Sequence, residues 1–191
     1  MGTINHFNCA LFIVSLFLLK HTVSNIFLVG MPGSGKSFWG SLLAQDLGYT
    51  FVDTDSNIEL LEKQAISQIF EQHGEAHFRT LEATYLRKLP QGINLLVATG
   101  GGTPCFHDNM SLMLSKGLVI WLDVPVNTLV NRLIFEKTKR PMLAQKTDEE
   151  LIATMEQMLA IRAPFYQQAH LTVNATQISI PYLKQIIEQH A

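Results

Sequence analysis

The sequence predicts an α/β fold in three layers: a central five-stranded parallel sheet with helices on both faces. Three observations carry that reading. From Ser24 onward, short apolar segments alternate with helix-length ones, the pattern of a parallel sheet whose crossovers are helices. Gly30-Met31-Pro32-Gly33-Ser34-Gly35-Lys36-Ser37 lies between an apolar run and a helical run, the context that makes G-x-x-x-x-G-K-[ST] specific for phosphate. The chain has 191 residues, 47% of them apolar and 16% charged, enough to bury one real core.

Strands are expected near 25–29, 50–53, 94–98, 118–122 and 170–173. Helices are expected over 36–47, 56–63, 66–72, 75–89, 106–114, 125–136, 148–165 and 179–189. Ile26-Phe27-Leu28-Val29 forms the first strand, and Leu42, Leu43 and Leu47 pattern the helix that follows the loop. Tyr49 to Val52 and Asn94 to Ala98 supply the next two strands. Pro125 sits where a helix start tolerates it. Arg162 to Tyr166 is expected to end the long helix, because Pro164 disfavours helical geometry at Ala163, which holds Arg162 near a helix end. Two segments break the alternation, the helical insertion between Asp53 and Leu89 and the polar stretch from Glu136 to Lys146. One domain is expected over 24–191, with an insertion at about 54–89 and a closing lid at about 136–147.

Glycines let the loop adopt angles that other residues resist, so N–H groups from Gly33, Ser34, Gly35, Lys36, Ser37 and Phe38 can turn onto phosphate oxygens. The following helix N-terminus adds partial positive charge. Lys36 would reach the β- and γ-phosphates, and the Ser37 hydroxyl would ligate Mg²⁺. Asp53 and Asp55 close the second strand, where alternation puts them on one face and turns Thr54 away. That edge is where open α/β sheets bind ligands. One carboxylate can hold Mg²⁺ through water and the other accept a proton from an attacking hydroxyl. The alternative is a helix cap from Asp55 or Ser56.

Arg79 and Glu82 stand three apart on a helix and can pair. Spacing alone favours an exposed pair worth less than about 1 kcal/mol; the other reading has Glu82 fixing the Arg79 fork for a carboxylate. Gly100-Gly101-Gly102 follows the third strand, which suits backbone lying against a ligand or a plain turn. Arg140 in the lid can reach transferred phosphate charge. From the residues alone, a solvated arginine is the default reading for Arg140 and for Arg162. Cys105 reads as a packed thiol and Trp39 as core or loop support. His73, His77, His107 and His170 share no metal-ligand spacing.

A net charge of −2 argues against a general nucleic-acid binder. The two cysteines offer no disulfide framework and fit a reducing compartment. The apolar run from Cys9 to Leu19 falls short of the roughly 20 residues a bilayer-spanning helix needs, and no Lys or Arg precedes it as a signal peptide would require. Residues 1–23 are expected to be an extension outside the working domain, with translation starting near Leu18 or Leu19. An intact mass that includes Met1 to Leu19 would reject this.

The motifs, taken in order, resemble those of shikimate kinase from about Ile26 to the C-terminus: Gly30 to Ser37, Asp53-Thr54-Asp55, Phe78-Arg79-x-x-Glu82, Gly100-Gly101-Gly102, Arg140-Pro141-Met142-Leu143 and Arg162-x-Pro164-x-Tyr166. The resemblance implies a P-loop nucleotide kinase-like fold with a helical acceptor-binding subdomain and a lid. It implies transfer of the γ-phosphoryl group of ATP to the 3-hydroxyl of shikimate, a step toward chorismate and the aromatic amino acids. Lys36 and the loop amides would hold ATP; Ser37 and Asp53 would hold Mg²⁺. Asp55 would bind ring hydroxyls and act as base. Arg79 and Arg162 would clamp the carboxylate, Gly101 and Gly102 would contact substrate, and Arg140 would swing in with the lid.

There are departures from the family pattern. Phe38 replaces a Thr or Ser, Arg132 stands one residue off the register of a further lid arginine, and the segment near Asn174 to Ile178 lacks the usual basic residue. The alternatives are a gluconate kinase-like enzyme or a non-catalytic ATP-binding relative. A cytoplasmic monomer is expected, without stable membrane association.

Overall fold

The computed structural model describes residues 25–135, 147–174 and 178–190. The expected N-terminal extension, the lid segment with Arg140, and the middle of the adenine-side segment lie outside the described residues. In chain order the elements are β1 (Asn25–Val29), α1 (Lys36–Leu47), β2 (Thr50–Asp53), α2 (Thr54–Glu62), α3 (Ile66–Arg87), β3 (Leu95–Ala98), a 3-10 turn (Thr103–Cys105) and α4 (Asn109–Lys116). Then follow β4 (Leu118–Asp123), α5 (Val126–Phe135), α6 (Asp148–Tyr166), β5 (Leu171–Asn174) and α7 (Ile180–Glu188).

The five strands run parallel in the order β2-β3-β1-β4-β5. Helices cover both faces, so the inner strands are apolar on both sides. Phe27, Val29, Val97, Val119 and Trp121 pack into one cluster with α5 and α6. Ile26, Leu28, Leu96, Ile120 and Leu122 pack into the other with α1 and α7. Fully burying one such side chain contributes about 1.5–3 kcal/mol, and this period-two division holds the sheet between its helices. A third, smaller cluster of Ile58, Ile69 and Phe78 joins α2 to α3. Register puts Leu28, Ala98 and Asp53 in one row across β1, β3 and β2. The chain segments after these three residues therefore leave the sheet at one edge.

Several boundaries differ from the sequence reading for identifiable reasons. The second helix starts at Thr54 rather than 56, because Asp53 itself caps it: its Oδ1 accepts from the Ser56 N–H at 3.1 Å. Residues 66–87 form one element bent at Gly74, whose φ of 78° and ψ of 169° are not helical. Helix α4 starts later than predicted because a separate 3-10 turn forms around Pro104. The long helix runs through Pro164 to Tyr166, one residue past its expected end. Pro164 removes one hydrogen bond on the exposed side of the last turn. Burial of Tyr166 and its bond to the Gly101 carbonyl hold that turn in place.

Candidate active site

The phosphate loop is closed by its own lysine. Gly35 takes φ 92° as the residue preceding α1, a left-handed geometry that a side chain would oppose. Lys36 Nζ donates to the Gly30 carbonyl at 2.9 Å and the Met31 carbonyl at 3.0 Å, and lies 3.4 Å from Ser34 Oγ. Ser34 and Lys36 are both buried. Beside the loop, the Ser37 hydroxyl donates to Asp53 Oδ2 at 2.5 Å. The two residues proposed for Mg²⁺ thus meet across 16 positions of sequence. Phe38 is exposed and its ring meets Trp39 edge-on. Trp39 lies against Gly35 and the α1 core, as expected of loop support.

Asp53 and Asp55 do not share a strand face. Asp55 belongs to the first turn of α2, because a capped helix displaces the strand after Asp53. Thr54 is not turned away either; it is buried and accepts the Gly100 N–H at 3.1 Å. The cap is Asp53, not Asp55 or Ser56. What brings Asp55 to the site is the helix start rather than β alternation.

Each glycine of the triplet faces a different functional group. A Cβ on Gly100 would sit 2.7 Å from both Asp55 Oδ1 and Glu82 Oε1. One on Gly101 would sit 3.0 Å from Arg162 Nη1, and one on Gly102 would sit 2.7 Å from Arg79 Nη1 and Nη2. Charged groups from α2 and α3 leave no room for a side chain at Gly100 and Gly102, and at Gly101 the Pro32 ring does so, 2.8 Å from where a Cβ would sit, with Arg162 of α6 beside it. Arg79 and Arg162, 83 positions apart by their numbering, are thereby brought to adjacent residues of one loop. Tyr166 donates its hydroxyl to the Gly101 carbonyl at 2.5 Å, which fixes this loop against the end of α6.

The Arg79–Glu82 pair is not the exposed pair that spacing favours. Glu82 is fully buried and accepts from Arg79 Nη1 at 2.7 Å, while Thr103 donates to its other oxygen. Glu75 Oε1 takes Arg79 Nε at 3.1 Å and Nη2 at 2.8 Å. Burial opposes the charge on Arg79, but the hydrogen bonds and charges of Glu82 and Glu75 outweigh it and raise its pKa. Of the five N–H donors of a guanidinium, these bonds use three.

Two buried polar atoms here have no protein partner, Asp55 Oδ1 and Arg162 Nη1. Leaving such an atom unpaired costs about 1–3 kcal/mol, more when charged. An unmet acceptor and an unmet cationic donor flanking one loop are complementary to a small hydroxy acid. Burial first, then the charges of Glu82 and Asp53, push the Asp55 carboxyl up to about 6, with Lys36 and Arg79 pulling it down. Cys105 is half-buried, and burial raises its thiol, consistent with a packed thiol.

The structure adds residues to which the sequence reading gave no role. Thr54 and Thr103 tie the triplet to α2 and α3, and carry no motif signal of their own. Arg132 donates from α5 to the Gly33 carbonyl at 3.0 Å; its approximate register was the only sign of it. Among the described residues, no three His, Cys, Asp or Glu side chains group as a metal site, and no helix is long and apolar enough to cross a membrane.

Residues 32–191 match the shikimate kinase family. A shikimate kinase from Bacteroides thetaiotaomicron is 40% identical over 153 residues, covering 80% of this chain and 87% of that protein. One from Synechococcus sp. (strain CC9605) is 46% identical over 149 residues, covering 78% and 73%. The structure of a shikimate kinase from Acinetobacter baumannii in complex with shikimate superposes with a TM-score of 0.76 at 36% identity, over 88% of this chain and 93% of that one. With its parallel sheet, its phosphate loop and a glycine triplet ringed by two arginines and an aspartate, the chain belongs to the shikimate kinase family.

Proposed function

We propose that the protein transfers the γ-phosphoryl group of ATP to the 3-hydroxyl of shikimate, giving shikimate 3-phosphate and ADP. The observation that carries this reading is the glycine triplet, with Arg162 and Arg79 beside Gly101 and Gly102 and Asp55 beside Gly100. The arginines suit a carboxylate, and the aspartate suits a hydroxyl on the same small ring.

In this reading the loop amides of Gly33 to Phe38 and Lys36 bind the ATP phosphates. Lys36 exchanges its carbonyl partners for phosphate oxygens. Ser37 and Asp53 are hard oxygen donors already in contact, a donor set that fits Mg²⁺ together with phosphate oxygens and water. Bound there, the ion would neutralise phosphate charge. Arg79 and Arg162 hold the acceptor's carboxylate, Gly101 and Gly102 contact it through backbone, and Asp55 takes the hydroxyl proton. Helices α2 and α3, residues 54–89, act as the acceptor-binding part. Residues 136–147 act as the lid, bringing Arg140 to the phosphates. The working form is a cytoplasmic monomer.

ADP release measured with shikimate, with gluconate and with no acceptor tests the reading. Turnover is expected with shikimate alone. Equal release in all three would reject it, and release with gluconate would move the assignment to another acceptor.

A further inference from the structure

Arg79 is held by more than its two carboxylates. Its guanidinium carbon lies 4.7 Å from the ring centroid of Phe106, 5.4 Å from that of Phe78 and 5.9 Å from that of Phe70. Phe78 is buried in the cluster between α2 and α3, and Phe70 packs on it, so core packing explains both. Phe106 differs, because 38% of it is exposed and it comes from the loop after the glycine triplet. A large ring left that open adds less to folding than a buried one.

Its placement is nevertheless built. The 3-10 turn Thr103–Cys105 separates it from Gly102, so one loop meets the Arg79 guanidinium twice. Immediately after the ring, His107 and Asp108 take φ of 51° and 57°, left-handed values that non-glycine residues adopt at a cost. Arg87 Nη2 donates to the His107 carbonyl at 3.0 Å, and the Asn109 N–H donates to the Phe106 carbonyl at 3.0 Å. These bonds hold the strained turn, and the turn holds the ring.

We propose that Phe106 is a positioning residue for the acceptor's carboxylate, its ring face stacked on the Arg79 guanidinium. A stacked guanidinium keeps its in-plane N–H groups available, and Arg79 has two of them left after Glu75 and Glu82 are served. The ring attracts the cation through its quadrupole and keeps water from one face. Arg79 is thereby held flat and partly desolvated, and its charge acts more strongly on a carboxylate than it would in open water. The inference rests on the reading of Arg79 as a carboxylate clamp.

Steady-state kinetics of the full chain test it with Phe106→Ala, Phe106→Leu and Phe106→Tyr. Removing the π face should raise KM for shikimate roughly five-fold in the Ala and Leu variants. The KM for ATP should stay level and kcat should change by less than about two-fold. The Tyr variant, which keeps the face, should match the parent. A Leu variant equal to the parent would reduce the ring to apolar cover and overturn the stacking role. ATP and shikimate KM rising together would make the effect a general loosening and overturn it too. A parent enzyme with no shikimate-dependent ADP release would overturn the clamp reading and this inference with it, an outcome distinct from the other two.

Discussion

At Asp55, burial and two neighbouring carboxylates hold the carboxyl at about 6, against an ordinary value of 3.8. A base must be unprotonated to work, so kcat/KM with shikimate should fall as pH drops through about 6 and level off above it. Stability runs the other way. The folded chain binds that proton more tightly than the unfolded chain, so Asp55 favours folding at low pH, and the contribution is lost as pH rises through about 6. Asp55→Asn should therefore cut turnover by roughly 10²-fold or more, while raising Tm at neutral pH by about 2–6 °C. Normal turnover in this variant would remove Asp55 from the role of base. Arg162 carries a matching expectation. Its Nη1 has no protein partner, so Arg162→Ala should weaken shikimate binding by about 2–5 kcal/mol in calorimetry, with ATP affinity little changed. Equal loss for both ligands would make Arg162 structural.

Individual elements were legible to different degrees, depending on whether their signals were local. The strands fall within a residue or so of their predicted places: two-sided burial writes β1, β3 and β4 as near-continuous apolar runs, and the edge strands β2 and β5 still stand out as short segments between helical ones. Helix starts were harder. Asp53 reads as the last residue of a strand, and nothing nearby shows that it also caps α2. Pro164 stays inside the last turn because a contact 65 positions away, from Tyr166 to Gly101, holds that turn. The break in α3 at Gly74 was visible, since glycine interrupts a helical pattern. Gly74 has open space where a Cβ would go, so only its backbone angles are at stake. Gly74→Ala should lower unfolding free energy by about 1–3 kcal/mol in denaturant titration; no change would mean that the bend relaxes freely.

For the whole molecule, the order of motifs carried more information than any one of them. Spacing alone made Arg79 and Glu82 a surface pair, and only the closing of α3 over the glycine triplet showed Glu82 to be fully buried. Residues such as Thr54, Thr103 and Arg132 act through contacts that span 21 to 99 positions, which no local pattern encodes. The site has buried groups that lack partners, so its ligand should stabilise the whole fold. Shikimate at 100 times its Kd should add about 2.7 kcal/mol, read as a Tm rise of about 5–10 °C. An unshifted melting curve at that concentration would contradict the assigned acceptor.

Asp53 gives one oxygen to the Ser56 amide and the other to the Ser37 hydroxyl. A single side chain is therefore a rivet between the helix that follows the phosphate loop and the helix that bears Asp55. Whatever draws on the oxygen that faces Ser37 leaves the other still pinning that helix, so the start of α2 beside the glycine triplet can stay level while the phosphate loop changes partners.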